Sequence, residues 1–192
     1  METAVVLVEG PSDAAVLDVL ARRLGLDGSE VAVVPMGGVT NVGRYLREYA
    51  ERPATRVAGL CDRGEVRFVA GALRRLGHDV THAAERVAGL AAYGFFVCDE
   101  DLEDELIRAL GTDTVIDVID REGELGQLRT LQQQPAQRAR SLHDQLHRFA
   151  GTKSGRKVRL AAALAEELPL DAVAAPLVDV LTWVRTSAGP VR

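Results

Sequence analysis

Glu9, Asp13, Asp62, Asp101 and Glu103 are the residues whose types and positions could do chemistry. The apolar run Val5-Val6-Leu7-Val8 ends on Glu9, turns through Gly10-Pro11 and reaches Asp13 four residues on. A second apolar run, Val57–Cys61, ends on Asp62, and a third, Phe95–Cys98, on Asp99, with Asp101 and Glu103 close behind. Parallel strands share one carboxyl edge, and open α/β sheets bind ligands in the crevice outside it. Acids at three strand ends would therefore converge. Mg²⁺ takes oxygen ligands and only a few carboxylates, with water and phosphate completing its shell. Glu9, Asp13, Asp62 and one or two of Asp99, Asp101 and Glu103 would supply such a site. Two ions roughly 4 Å apart would clamp a scissile phosphate. Each acid also has a plainer reading. Asp13 would pair with a helix dipole, and Asp62 would cap a helix. Most of the acidic run Asp99–Glu105 would form a solvated helix start.

The elements that must position these acids follow from periodicity. Ala4–Val8 reads as a buried strand, continuous and rich in β-branched residues. Val16, Leu17, Leu20 and Leu24 give the following helix, entered at Pro11-Ser12 and closed by Gly25. Val31–Pro35 is a second strand. The Gly37-Gly38 turn leads to a helix through Val42, Tyr45, Leu46 and Tyr49 that stops near Pro53. Val57–Cys61 is a third strand, and a helix through Val66, Val69 and Leu73 ends at Gly77. Residues 78–94 are ambiguous, an edge strand plus a short helix. Phe95–Cys98 is a further strand, Leu102–Leu110 a helix and Val115–Ile119 a last short strand. This alternation predicts an α/β fold, a parallel Rossmann-like sheet with helices on both faces. After Glu124 the pattern turns helical, over Ala136–Ala150, Gly155–Leu168 and Val173–Val184, punctuated by Pro169 and Pro176. The expected division is an α/β core over 1–124 and a helical C-terminal extension over 125–192 packed on it.

Composition limits the function classes. The 192 residues, 47% of them hydrophobic, suffice for one sizeable core. No apolar run approaches the length of a membrane span. The first one lacks the basic flank of a signal peptide, so a cytoplasmic protein is expected. Cys61 and Cys98 each close an apolar run and read as buried small side chains rather than metal ligands. A net charge of −5 argues against nucleic-acid binding by overall charge and leaves room for a local basic surface.

The acidic strand ends, taken together, resemble a known fold family. Val5–Asp13 with the Asp62 strand end resembles the TOPRIM domain of topoisomerases, bacterial primases and related nucleases. The wider ordered set is Glu9-Gly10-Pro11-Ser12-Asp13, Gly37-Gly38, Asp62, Asp101-Leu102-Glu103-Asp104-Glu105-Leu106 and Gly155-Arg156-Lys157. That set resembles the TOPRIM half of the overcoming-lysogenization-defect (OLD) nucleases, over most of the chain to about Ala165. The resemblance implies phosphodiester hydrolysis with one or two Mg²⁺ or Mn²⁺ ions. Glu9 and Asp13 would be the first acidic motif, Glu9 the central ligand. Asp62 would open the D-x-D motif, Glu103 with Asp101 would be the later acids, and Lys157 would stand beside the scissile phosphate, with Lys153 as its competitor. Two departures stand out. The D-x-D position reads Asp62-Arg63-Gly64, so the second acid is missing; either Glu65 compensates from the next turn or one metal site is weak. The ATPase half is also missing. Gly151-Thr152-Lys153-Ser154 resembles only the tail of a P-loop, so the expectation is a free-standing TOPRIM protein without ATP hydrolysis of its own.

Basic residues concentrate toward the C-terminus. Arg148, Lys153, Arg156, Lys157 and Arg159 would form a helical wall that tracks a nucleic-acid backbone beside the acidic cleft. His143 and His147, four apart, could share a helix face, but no HExxH pattern or third zinc ligand accompanies them. The leading expectation is a divalent-metal-dependent DNA endonuclease or nickase. The alternative is a metal-binding TOPRIM subunit without its own activity, serving nucleic acid or a separate ATPase partner. A small-molecule phosphoryl-transfer enzyme with Asp62 as nucleophile ranks last, because Glu9 with Asp13 fits TOPRIM better.

Overall fold

The structure, a computed structural model, describes residues 3–26, 31–52, 55–80, 87–152 and 154–186. Its elements run β1 (Thr3–Val8), α1 (Pro11–Arg23), β2 (Val31–Pro35), a 3-10 turn (Val39–Asn41), α2 (Val42–Ala50) and β3 (Thr55–Asp62). A second 3-10 turn (Arg63–Glu65), α3 (Val66–Arg75), α4 (Val87–Ala91) and β4 (Phe95–Cys98) follow. The rest is helical: α5 (Leu102–Leu110), α6 (Thr112–Arg121), α7 (Leu125–Gln132), α8 (Pro135–Arg138), α9 (Leu142–Ala150), α10 (Ser154–Glu167) and α11 (Ala175–Thr186). The strands form one sheet in the order β2-β1-β3-β4, with every neighbouring pair parallel. The α/β class and the parallel sheet with covered faces are as the periodicity predicts.

The sheet separates two apolar cores. Ala4, Val6, Val8, Ala58, Leu60 and Cys98 face one side, where α1, α10 and α11 supply Leu17, Leu164 and Leu181 among others. Val5, Leu7, Val57, Cys61 and Val97 face the other, against Val42 and Leu46 of α2 and Val69 and Leu73 of α3. Burial on both faces explains why β1 and β3 read as unbroken apolar runs rather than alternating ones. α10 packs along α1, and α11 lies across β3 and β4, so the C-terminal helices close the first face. No helix among the described residues is long and apolar enough to cross a membrane.

Three expectations need correction. Val115–Ile119 is not a strand but part of α6. Val115, Val118 and Ile119 are buried at helical spacing while Asp117 between them is exposed. The β-branched content suggested a strand, but the packing stripe is helical. The single helix expected over 136–150 is two, broken at Ser141, whose hydroxyl accepts the Asp144 amide at 3.1 Å as an N-cap. Between 78 and 94 the described residues hold α4 and no edge strand, and residues 81–86 lie outside the described ones.

Gly59 lets the central strand pair close. A Cβ there would run into the ring of buried Phe95 and come within 3.2 Å of the Leu7 carbonyl oxygen. Gly59→Ala should lower the free energy of unfolding by about 1–3 kcal/mol, the usual cost of overpacking. A urea midpoint equal to that of the wild type would contradict this.

Candidate metal centre

Glu9 leaves β1 at the carboxyl edge of the sheet. Gly38 donates its amide to the Glu9 carbonyl at 3.0 Å, and Met36 donates to that of Val8 at 2.8 Å, so the turn after β2 is stitched to the end of β1. Gly37 and Gly38 sit at φ 71° and 114°, a backbone region that favours glycine. Pro11 then opens α1. Asp13 accepts the Gly10 amide at 2.8 Å. It therefore closes the first turn of α1, and its other oxygen lies 3.5 Å from the Ser12 hydroxyl. Burial raises its pKa, against the Gly10 bond and the charge of Lys157.

β3 delivers Asp62, and the 3-10 turn folds Glu65 back over it, with a long 3.4 Å contact from the Asp62 amide to Glu65 Oε2. Glu9, Asp62 and Glu65 each bring a carboxylate oxygen within 4.8 Å of the other two. Burial, then Glu65, Asp101, Asp13 and Glu9, push the Asp62 carboxyl up to about 8. Burial and then Glu9 raise Glu65 as well. The charged groups that act most strongly on Asp62 are all acids. Such a set cannot be fully ionised at neutral pH without a cation. Its donors are hard oxygens, which suit Mg²⁺ or Mn²⁺ better than a soft metal. Burial, then Glu65 and Asp62, push the buried Cys61 thiol up to about 12, and both cysteines are buried and free.

A second group lies beside the first. Asp101 caps α5 by accepting the Asp104 amide at 2.9 Å, and His147 Nε2 of α9 meets its carboxylate at 2.7 Å. These contacts outweigh burial and hold Asp101 below the usual carboxylate range, while the Asp101 bond raises His147. Glu103 is 3% exposed, and its Oε1 lies 3.3 Å from Lys157 Nζ of α10. Burial raises Glu103 despite that cation. Burial also opposes the charge on Lys157, but Glu103, Asp13 and Asp101 together hold it above the usual lysine range.

The structure thus brings Glu9 and Asp62 together with Glu65, and sets Asp13, Glu103 and Lys157 next to them. Asp101 is already engaged by His147. The acidic run is not the solvated helix start expected of it: Glu103, Asp104 and Glu105 are 3%, 7% and 7% exposed. α9 and α10 pack over α5 and bring His143 to Asp104 at 2.7 Å and Lys157 to Glu103, and Arg108 pairs with both Asp104 and Glu105. The histidine spacing was visible in the sequence, but it serves two carboxylates rather than a shared metal. The basic wall is also rearranged. Arg156 is 6% exposed and bound to Glu124, with Gln127 and Thr152 beside it. Arg159 turns to Glu122 at 2.9 Å and to Glu124. Arg148 is exposed on α9, and Lys153 lies outside the described residues. No local pattern marked Arg156 as a core residue; its acidic and amide partners, Glu124 and Gln127, are 32 and 29 residues away.

This sheet, with these acids at its edge, has known counterparts. The family model for the overcoming lysogenization defect protein-like TOPRIM domain matches residues 2–63. The chain carries a TOPRIM domain resembling that of OLD proteins. One structure of the C-terminal region of the Xanthomonas campestris pv. campestris OLD protein superposes with a TM-score of 0.75 at 28% identity, covering 96% of this chain and 92% of that one. Another structure of that region gives 0.70 at 25% identity, covering 95% and 94%. The C-terminal region of the Burkholderia pseudomallei OLD protein gives 0.68 at 22% identity, covering 96% and 98%, and speaks for the fold alone. No curated protein matches the sequence. In this TOPRIM domain the family match ends just past Asp62, so Glu103 and Lys157 lie outside the matched residues.

The electrostatics of Asp62 generate a test. Its folded pKa of about 8 lies above the unfolded value of about 3.9. Between those values only the folded state holds the proton, so this group makes stability fall as pH rises from about 4 to about 8. In EDTA, Asp62→Asn should therefore gain on the wild type in melting temperature from pH 5 to pH 8, with no gap near pH 4. Added Mg²⁺ should stabilise the wild type more than the variant. A gap independent of pH would contradict the assignment.

Proposed function

We propose that this TOPRIM domain is a divalent-metal-dependent nuclease that hydrolyses phosphodiester bonds in DNA. The observation that carries the reading is the mutual approach of Glu9, Asp62 and Glu65 within 4.8 Å, all acids, at the carboxyl edge of a TOPRIM sheet. Glu9 and Asp62 would hold Mg²⁺ or Mn²⁺, with Glu65 replacing the acid missing from Asp62-Arg63-Gly64. Asp13 and Glu103 border the same crevice and would serve a second ion. The cation supplies Lewis acidity toward phosphoryl oxygen and water. The chain's own residues supply the rest. Lys157, kept protonated by Glu103, Asp13 and Asp101, offers a fixed positive charge to a non-bridging phosphate oxygen. Glu103 orients that ammonium, and His147 keeps Asp101 ionised beside it.

A second reading is favoured by one observation. Arg63, where the pattern predicts only a spacer, pairs with Asp99, and Gly64 takes the place of the second acid. A chain so altered could retain one cation and act as the metal-binding subunit of a separate ATPase. Calorimetric titration with Mn²⁺ separates the two, since more than one ion per chain supports the nuclease and a single ion the subunit.

Plasmid cleavage in Mn²⁺ is the direct test. Loss of outer-shell partners of a metal ligand typically costs about 10–100-fold, so removing a ligand should cost at least about 100-fold. Glu9→Gln and Asp62→Asn should both fall that far, and Lys157→Met should lose turnover while retaining metal. Cleavage that persists in the Glu9→Gln protein would sink the proposal.

A further inference from the structure

Several cations of α1 and of the C-terminal helices are spent on internal acids. Arg156 and Arg159 hold Glu124, Arg121 holds Glu167, Arg22 holds Glu166 and Arg108 holds Asp104. The opposite face of the sheet differs. Between α2 and α3 runs a groove of about 390 Å³ bordered by Thr40, Arg44, Arg47, Arg67, Phe68 and Arg75. All four arginines are exposed, and none makes an ion pair or hydrogen bond among the described residues. α3 contains no acid at all, and Glu48 of α2 is taken by Arg52 at 2.9 Å.

The groove is built rather than incidental. Gly43 faces Ala72, and a Cβ on Gly43 would lie 3.6 Å from that methyl, so small residues hold the two helices close. Arg44 stacks over Tyr45 at 4.5 Å and Arg67 over Phe68 at 4.8 Å. Stacking fixes a guanidinium plane without neutralising it and leaves its donors free for a phosphate. Both helices start at the acidic edge. α2 follows the turn bonded to the Glu9 carbonyl, and α3 follows Glu65 directly. Arg67 and Arg75 are eight residues apart, about 12 Å along the helix. One strand of a duplex presents a charge about every 3.4 Å of axis, so that span meets about three or four phosphates.

We infer that the α2–α3 groove binds the sugar–phosphate backbone of the nucleic acid and guides one strand toward the acidic edge. This rests on the nuclease reading above and names the surface that reading leaves open. The C-terminal helices contribute Lys157 at the acids, while the arginines of α2 and α3 carry the flanking phosphates. Charge complementarity commits the groove to a polyanion, because four unpaired guanidiniums stand together in a chain of net charge −5.

The test is anisotropy of a fluorescent DNA duplex in Ca²⁺, across a salt series, with the full chain. Replacing Arg44, Arg47, Arg67 and Arg75 together by alanine should weaken binding at least about tenfold and flatten the salt dependence by about three to four, roughly 0.9 per lost contact. The fourfold lysine variant keeps the charge and should stay within about threefold of wild type. Arg148→Ala with Arg159→Ala, on the other face, should change affinity by less than about threefold. Circular dichroism melts establish that each variant is folded. Unchanged affinity in the fourfold alanine variant, or an equal loss in the Arg148/Arg159 pair, overturns the inference and leaves the nuclease reading intact. A groove that serves a protein partner instead would give the first of those results. No duplex binding by the wild type in about 50 mM salt, with no cleavage in Mn²⁺, overturns both.

Discussion

Glu9, Asp62 and Glu65 repel one another, and the fold holds them together regardless. Their approach is enforced from below. β1 and β3 are neighbours in register, with Leu7 opposite Gly59, so their carboxyl ends cannot separate without breaking the sheet. Both strands are clamped between two apolar cores. Each buried valine or leucine contributes about 1.5–3 kcal/mol relative to exposure. A handful of such residues offsets the repulsion among three carboxyls, part of which is relieved by keeping Asp62 protonated. The site is thus a strained feature on a rigid base, the arrangement that pre-organises a ligand site.

The other half of the site depends on the rotation of one helix. Arg156 and Lys157 are adjacent on α10, and successive helical residues point about 100° apart. Arg156 is buried among Glu124, Gln127 and the ring of Phe149, 4.0 Å away. With that guanidinium in the core, Lys157 projects toward Glu103, 3.3 Å away. A buried ion pair often adds little net stability, and its better-attested use is to specify register. Here the pair ties α10 to Glu124 at the start of α7, and α10 in turn packs on α1, which carries Asp13. The acids of the sheet and the lysine of the appended helices are thereby referred to one frame.

Strand-end acids were readable because a single periodicity places them: an apolar run of four to eight residues that stops on a charge. The Gly37-Gly38 turn was readable for the same reason, since its positive φ angles leave a residue-type signature. What escaped depends on contacts between distant segments. Val115–Ile119 has the composition of a strand, and only its packing on other helices makes it helical. The burial of Glu103, Asp104 and Glu105 follows from α9 and α10 arriving with His143, His147 and Lys157, about 40 to 55 residues later. Glu65 lay between these cases. Its spacing from Asp62 allowed compensation for the missing acid, and the 3-10 turn makes the approach real.

Position at the sheet edge does not by itself decide what a charged residue does here; the presence of an internal counter-charge does. Asp62 and Asp101 border one crevice, yet the first is pushed up and the second held down. The difference is that Asp101 has an imidazole and a helix amide, while the strongest neighbours of Asp62 are other acids. Internal partners make Asp101, Asp104 and Glu124 part of the scaffold. Among the described residues Asp62 and Glu65 lack such a cationic partner, and a cation from outside would satisfy them. The same criterion sorts the arginines. Arg108, Arg156 and Arg159 are satisfied within the chain, and their charge does not reach solvent as free potential. Arg44, Arg47, Arg67 and Arg75 have no such partner among the described residues. Net charge conceals this division, because −5 is a sum over groups already paired and groups still open. A phosphodiester strand held by the open cations and reaching the open acids through a metal ion would satisfy both sets at once.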